Sequence, residues 1–318
     1  MIESGYEVRI PVGISSCLLG EAVRYDGGHK RDRYITDVLA EYFDFRPYCP
    51  EVAVGLGVPR PTLRLEGDAA APRAVIQEAG RRDVSKDLAG YGRSIAASAT
   101  DICGYILKSR SPSCGMERVK VYDRNGSPSG TSSGLYARAL MQARPLLPVE
   151  EEGRLNDPDL RDNFIERIFV YARWRELRQG SPRTRDLVRF HTRHKFLVMA
   201  HNQEAMRALG RLVADAARDL PQTLDDYFTL LMQALQHPAQ RGNQANVLQH
   251  IAGFLHDGLD AGDRRELAHA IDGYRSGELP VIVPLTLIRH HLRRRPDDFL
   301  DDQHFLESRP KAVDTRRR

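Results

Sequence analysis

The first half of the sequence alternates short apolar segments with amphipathic ones, and three of the apolar segments lead to a cysteine. The strand-like segments VRIPVGISS, DFRPY and GYILKS precede Cys17, Cys49 and Cys114. The segments YITDVLAEYF and VSKDLAGYGRSIAASAT have helical spacing, and Ser85 is a candidate N-cap for the second. This alternation predicts a Rossmann-like α/β domain, with a mainly parallel sheet and helices on both faces.

The same alternation predicts where the four cysteines lie. Ligands of open α/β sheets bind beyond the carboxyl ends of the strands, and Cys17, Cys49 and Cys114 all follow strands. Cys103 precedes its strand, which at about 3.3 Å per residue carries it toward the opposite edge. We therefore expect three thiols to converge and the fourth to lie apart.

Three converging thiols without an obvious fourth ligand suit few kinds of site. The sequence lacks the paired CxxC motifs of tetrahedral zinc sites and the closely spaced cysteine runs of ferredoxins. Zinc completed by a water, a [4Fe–4S] cluster with one iron free, and three unrelated buried thiols all remain open at this point.

The second half reads differently. The proline-rich and acidic segment RPLLPVEEEGRLNDPDL is followed by long amphipathic segments with helical spacing. We predict an α/β domain over residues 1–148, a linker over 149–160 and an all-α domain over 161–318. The amino terminus has no basic region followed by a long apolar run, and no segment is long enough to span a membrane. A cytoplasmic protein without a membrane partner is expected, with its cysteines reduced or bound to metal.

Basic side chains concentrate early in the second half. Residues 167–211 hold 11 Lys and Arg against 3 Asp and Glu. Within RFHTRHKF, we expect the two phenylalanines to anchor a helix and the basic side chains to point outward. A phosphate-binding ridge and a solvated helical face both explain such a run. The residues of this candidate ridge are Arg189, His191, Arg193, His194 and Lys195.

Three segments together carry a family resemblance. SSCLLGEAVRYDGG, PYCPEVAVGLGVPRP and LKSRSPSCG, in this order, resemble the signature segments of the thiouracil desulfidase family. Residues 153–318 resemble the helical domain found fused to that module, in the arrangement of bacterial desulfidases that act on 4-thiouridine in tRNA.

The resemblance implies a [4Fe–4S] cluster held by Cys17, Cys49 and Cys114, with one iron open to the soft sulfur of a thiocarbonyl. It implies hydrolytic, non-redox desulfuration of 4-thiouridine in tRNA to uridine. Two alternatives are a desulfidase acting on free thiouracil and a non-catalytic, zinc- or cluster-stabilised RNA-binding module. The fused basic domain favours tRNA, because a base within folded RNA must be turned out of its stack before it can react.

The hydrolysis also needs groups that manage protons. Glu51 is the leading candidate, two residues from Cys49 in a position where burial could favour the protonated carboxyl, although pairing with an arginine would also explain it. Ser111 and Asp26 are further catalytic candidates, but Ser near Pro and Asp before Gly are also common turn residues.

A final group of polar residues flanks the three cysteines and could contact the substrate. Arg60, between two prolines, could hold a substrate carbonyl or a carboxylate, and Lys108 and Arg110 could meet an anionic substrate. The candidate substrate-binding residues are Arg24, Arg60, Lys108 and Ser113.

Overall fold

The computed structural model describes residues 9–307, and the chain divides after Ala172 into two compact units. The first unit contains strands and helices, and the described part of the second is helical. The expected order of an α/β domain followed by an all-α domain is therefore confirmed.

The eight strands of the described part of the first unit form two four-stranded sheets. Their strands are β1 (Ile10–Ser15), β2 (Phe43–Tyr48), β3 (Leu63–Glu66), β4 (Arg73–Ile76), β5 (Tyr105–Leu107), β6 (Val119–Tyr122), β7 (Pro128–Ser132) and β8 (Val149–Glu151). The first sheet has the order β2-β1-β5-β8 and is parallel throughout. The second has the order β4-β3-β6-β7 with antiparallel pairs at both edges. This second sheet was not predicted, because its strands are only four or five residues long.

Helices cover both faces of the parallel sheet. The helices that begin in this unit are α1 (Arg33–Asp37), α2 (Pro50–Ala53), α3 (Ser85–Ser98), α4 (Leu135–Ala143) and α5 (Pro158–Gln179). On one face, Tyr105 of β5 belongs to an apolar cluster with Ile95 of α3 and Leu140 of α4. On the other face, Ile106 clusters with Ile168 of α5. This division follows from the alternation of side chains along a strand.

Local boundaries differ from the sequence expectations at three places. YITDVLAEYF forms the short α1 and a 3-10 turn over Leu39–Glu41 instead of one helix. Val84, not Ser85, is the N-cap of α3, and the Ser85 hydroxyl accepts a hydrogen bond from the backbone of Ala74 in β4.

The predicted linker over residues 149–160 also differs. It begins with β8, which pairs with β5 in the parallel sheet, and it ends in the first turn of α5. The division between the units falls later, after Ala172. Prolines and charges marked the segment as a loop, but sheet pairing satisfies its backbone groups.

Besides the last residues of α5, the described part of the second unit contains seven α-helices. They are α6 (Thr184–His201), α7 (Gln203–Asp215), α8 (Leu220–Ala234), α9 (Arg241–Leu255), α10 (Ala261–Ser276), α11 (Ile282–Arg294) and α12 (Asp298–Asp301). Their main core includes Leu248, Ile251, Leu267 and Ile288, each nearly or fully buried. Burial of one such side chain contributes about 1.5–3 kcal/mol. Between residues 9 and 307, no helix combines the length and the apolar character needed to cross a bilayer.

Candidate metal centre and active site

Three adjacent parallel strands deliver Cys17, Cys49 and Cys114 to one edge of the sheet. Ser15, the last residue of β1, is in register with Tyr48, the last residue of β2. Cys49 follows Tyr48 directly and Cys17 comes two residues after Ser15, so both cysteines lie just beyond strands that end at the same level. Cys114 follows β5, the neighbour of β1 on its other side. The placement expected from the ends of the strands is therefore found.

The three thiols lie close enough to influence one another electrostatically. Burial raises the pKa of Cys17 to about 11, and the neighbouring Cys49 adds to the effect. Burial raises the pKa of Cys114 well above its usual value. The charges of Glu51, Cys49 and Cys17 raise it further, while a hydrogen bond with Ser15 lowers it. Burial also raises the pKa of Cys49. In the described residues, no group of three or more His, Cys, Asp or Glu side chains is arranged to hold a metal ion as it stands.

Cys103 lies at the opposite edge of the sheet. Its backbone amide donates to the carbonyl of Pro11, near the start of β1, at 2.8 Å. Its thiol lies 3.6 Å from the carbonyl oxygen of Asp101. Cys103 is therefore a buried core residue remote from the ends where the other three cysteines lie.

Glu51 sits at the centre of a hydrogen-bonded group beside the cysteines. Cys49 is the N-cap of α2, which places Glu51 in the first helical turn. Ser113 Oγ donates to Glu51 Oε1 at 2.8 Å, and Arg60 Nε donates to Glu51 Oε2 at 2.9 Å. The side chain of Arg60 is 5% exposed, and that of Glu51 is 14% exposed. Arg60 thus holds a carboxylate, as one interpretation of the sequence suggested, and the carboxylate is that of Glu51.

Ser111 organises the loop that carries Cys114. Its hydroxyl accepts hydrogen bonds from the backbone amides of Ser113, at 3.2 Å, and Cys114, at 3.1 Å. This is the turn function that serine commonly has in such loops. The Ser113 hydroxyl instead faces Glu51 and is fully buried. Of the two serines, Ser113 is the one whose hydroxyl contacts Glu51.

Gly134 allows this loop to pack closely against the start of α4. A Cβ at this position would lie 2.5 Å from the carbonyl oxygen of Ser113 and 2.9 Å from the Cys114 nitrogen. The backbone amides of Leu135 and Ala137 donate to the carbonyls of Pro112 and Ser113. The position of Cys114 is therefore fixed by α4 as well as by β5.

Of the two basic residues that precede Cys114 in its loop, Lys108 is paired and Arg110 is exposed. Lys108 pairs with Glu152 and donates to the Ser109 hydroxyl at 3.0 Å. Its charge opposes the upward shift of the Cys17 pKa, so the ammonium lies near that thiol. Arg110 is exposed and has a positive φ of 61°.

Asp26 and Arg24 lie on an exposed turn beyond β1. Asp26 accepts a hydrogen bond from the Gly28 amide at 3.0 Å, which lowers the pKa of its carboxyl. Arg24 Nε lies 3.5 Å from Asp26 Oδ1, and its charge opposes the upward pKa shift of Cys17. Asp26 therefore has the turn role and the contact to Arg24 that its sequence context allowed.

A cluster of tyrosines beside the thiols was missed by sequence reasoning. Tyr105 and Tyr136 are buried, with their hydroxyl oxygens 2.9 Å apart. Tyr48 stacks on Tyr105 at 5.9 Å, and Tyr91 stacks on Tyr136 at 5.6 Å between ring centroids. Burial raises the pKa of both Tyr105 and Tyr136, and the nearby Cys114 contributes. Of the four tyrosines, only Tyr48 could have been placed near the thiols from the sequence, because it directly precedes Cys49.

Three of the five residues predicted to form a basic ridge on α6 contact other parts of the protein. His194 is 1% exposed, and its Nδ1 lies 2.7 Å from the Phe190 carbonyl oxygen. Arg193 pairs with Asp302 at 3.3 Å, and His191 is half-buried with its Nδ1 3.1 Å from the Tyr227 hydroxyl. The expectation that these side chains point outward is wrong, because the apolar face of α6 is wider than the phenylalanines indicated.

Two members of the ridge do face solvent. Arg189 and Lys195 are exposed, and Phe190 and Phe196 are buried as expected. The cationic surface of α6 is therefore narrower than its sequence suggests.

Comparison with known proteins places the cysteine site in a family. Residues 12–152 match the family described as 2-thiouracil desulfurase. The uncharacterized proteins YbgA of Escherichia coli and YbbK of Bacillus subtilis are each 35% identical over 159 residues. These matches cover 49% of this chain and 93% of YbgA, and 45% of this chain and 97% of YbbK.

The chain belongs to the 2-thiouracil desulfurase family. The part that matches the desulfurase family contains all three converging cysteines together with Glu51 and Ser113. Residues 195–310 match a second family, described as a protein of unknown function, DUF1722. A solved structure, the [4Fe-4S]-dependent thiouracil desulfidase TudS, is 31% identical and covers 47% of this chain and 95% of its own, with a TM-score of 0.36.

Proposed function

We propose that this protein removes sulfur from 4-thiouridine in tRNA by hydrolysis, with a [4Fe–4S] cluster held by Cys17, Cys49 and Cys114. The thiocarbonyl and one water give the carbonyl of uridine and hydrogen sulfide, so no electron donor is needed. The observation that carries the proposal is the delivery of three thiols by adjacent parallel strands to one sheet edge.

The donor set fits such a cluster. A single zinc ion would bind all its thiolates at about 2.3 Å and so draw the sulfurs together. In a cluster, each thiolate binds a different iron and the sulfurs stand farther apart. The three mutually influencing thiols of this site supply one thiolate for each of three irons and leave the fourth iron free. The dependence on a [4Fe-4S] cluster in the name of TudS supports the same assignment.

When bound, a cluster with one iron free of protein ligands supplies a Lewis acid suited to sulfur. The protein's own contribution lies in Glu51, Ser113 and Arg60. Arg60 places its positive charge on Glu51 Oε2, which leaves Oε1 facing the Ser113 hydroxyl. At Oε1, Glu51 can accept a proton from water, directly or through Ser113 Oγ. Because Arg60 is nearly buried, it holds the carboxylate in one orientation.

The helical unit supports tRNA as the substrate. Its exposed cations, among them Arg189 and Lys195, can contact phosphates without reading sequence. A grip on the backbone helps to turn a base out of its stack. A second candidate substrate is free thiouracil, favoured by the description of the family and by the location of the whole cysteine site in the first unit.

The two substrates are separated by one experiment. Anaerobically purified protein is given tRNA containing 4-thiouridine and, in parallel, free 2-thiouracil, and released sulfide and product uridine or uracil are measured. We expect turnover of the tRNA. Turnover of 2-thiouracil alone would replace the proposed substrate with the free base, and turnover of neither would overturn the desulfidase function.

The cluster is tested by a matched set of cysteine variants. Replacement of Cys17, Cys49 or Cys114 by Ala should in each case remove the bound iron and sulfide and with them the brown colour of the cluster. Cys103→Ala is the control, since it removes a buried thiol of the same unit at the opposite sheet edge. Iron retained in the first three variants, or zinc in the wild type, would contradict the proposal.

A further inference from the structure

The helical unit has a groove of its own, separate from the cysteine site of the first unit. The groove has a volume of about 270 Å³ and is formed by α6, α7 and α9. Its floor is apolar and its rim is polar. The lining residues are Lys195, Phe196, Met199, Gln203, Met206, Arg207, His250 and Phe254. None of them is acidic. The volume lies below the roughly 300 Å³ at which pockets for drug-sized ligands begin, so it suits one flat ring.

Phe254 is the unusual member of this groove. It is 55% exposed, although it sits on α9 between Phe196 at 6.2 Å and Phe299 at 5.2 Å, measured between ring centroids. Its neighbours fix the ring while much of its surface stays in contact with water. A large aromatic side chain held in this way offers a platform for stacking.

Two cationic side chains, Lys195 and Arg207, line the groove without carboxylate partners. Lys195, Arg207 and His250 are exposed, and no ion pair of the described residues involves any of the three. Glu204 lies on the same helix as Arg207 but does not line the groove. The groove therefore combines an aromatic face with a local excess of positive charge, which is the pattern of single-stranded nucleic-acid sites.

We propose that this groove binds one unpaired nucleobase of an RNA, stacked on Phe254, with the adjoining phosphates contacted by Lys195 and Arg207. The proposal rests on the proposed action on tRNA and names the RNA-contacting surface of the helical unit. The proposed RNA-contacting surface is this groove and not the predicted ridge on α6, because His194 is buried and Arg193 pairs with Asp302. Lys195 belongs to both surfaces.

The test measures equilibrium binding of unmodified tRNA, which cannot react, to the full chain at several salt concentrations. Phe254→Ala should weaken binding by about 5- to 160-fold, the range expected for loss of one stacked base. Phe254→Tyr should retain binding, because it keeps the ring face. Ile282→Ala is the control, since it truncates an exposed apolar side chain on α11, outside the groove.

The phosphate contacts are tested separately. Lys195→Gln and Arg207→Gln should each reduce the slope of log K against log salt by about 0.7. Arg211→Gln, one turn along α7 and also exposed, should leave the slope unchanged. Unaltered fluorescence of Trp174 would show that each variant keeps the folded helical unit.

The outcomes separate the two proposals. If the wild type binds tRNA and Phe254→Ala binds it equally well, the groove is not the RNA site, but the proposed activity stands. If the wild type does not bind tRNA at all, the groove and the tRNA substrate are both overturned.

Discussion

Glu51 shows how one residue depends on contacts from distant parts of the chain. Ser113 is 62 residues away in the sequence, and Arg60 reaches the same carboxylate from the loop after α2. Arg60 also donates to the carbonyls of Gly57 and Val23, so its position is fixed independently of Glu51. The carboxylate is thus oriented toward the serine next to Cys114.

Glu51→Gln removes the negative charge but keeps the size of the side chain. We expect iron and sulfide content to stay at the wild-type level, while turnover of the proposed tRNA substrate falls by about 10²- to 10⁴-fold, the usual contribution of a general acid or base. The measurement is single-turnover desulfuration with iron content determined on the same sample.

Glu66→Gln is the matched control for this variant. Glu66 is also a nearly buried carboxylate that pairs with an arginine, the exposed Arg81, and it accepts a hydrogen bond from Gln77 at 2.9 Å. It belongs to β3 in the second sheet. Equal loss of turnover in both variants would show that Glu51 acts through stability alone.

At the scale of elements, the contact between α3 and α4 supports one side of the cysteine site. Gly92 of α3 faces α4 so closely that a Cβ would lie 2.6 Å from the Tyr136 carbonyl oxygen and 2.9 Å from Ala139 Cβ. Tyr136 itself contacts Tyr105, and both lie near Cys114. Close packing of these helices therefore positions the tyrosine cluster.

Gly92→Ala should lower the free energy of unfolding by about 1–3 kcal/mol, because the helices must separate to admit the methyl group. Gly90→Ala is its control on the same helix, with no atom within 4 Å of the new Cβ. It should raise that free energy by about 0.5–1 kcal/mol through helix propensity. Urea unfolding followed by circular dichroism distinguishes the two, and equal effects would contradict the close packing.

The whole molecule joins a unit built on sheets to a unit built on helices, and the helical one contains a buried histidine pair. The rings of His194 and His304 are 4.3 Å apart, and His304 Nδ1 lies 2.5 Å from Glu307 Oε1. Burial lowers the pKa of His194 strongly, and the charges of His304, Arg173 and Arg193 add to this. Burial also lowers the pKa of His304, against the opposing effect of Glu307.

These pKa shifts predict that the helical unit loses stability in acid. The unfolded chain binds protons at its histidines below about pH 6.5, where the folded state does not yet accept them, so the free energy of unfolding falls as the pH drops. Trp174, the one tryptophan of the chain, is buried in this unit and reports its unfolding by fluorescence. His194→Gln should flatten the dependence between pH 7 and 5, whereas His269→Gln, on the exposed face of α10, should not. An unchanged slope in His194→Gln would disprove the assignment.

Much of the cysteine site could be predicted from local sequence. A cysteine placed directly after a strand is carried to the carboxyl edge of a parallel sheet, whatever its neighbours are, and Cys103 before β5 is carried to the other edge for the same reason. The ion pair of Glu51 with Arg60 was one of two open interpretations. Nothing local could choose between them, because the choice depends on a loop that returns to α2.

The sequence by itself determined the order of an α/β domain and a helical domain, and the gathering of three thiols, because periodicity and strand direction act over a few residues. Only the tertiary structure decided which basic residues of α6 remain in water, that a second sheet forms, and that four tyrosines collect beside Cys114. Each of these depends on which surfaces meet across long separations in the chain, where the free energy of burial outweighs the local preference of a charged or polar side chain for solvent.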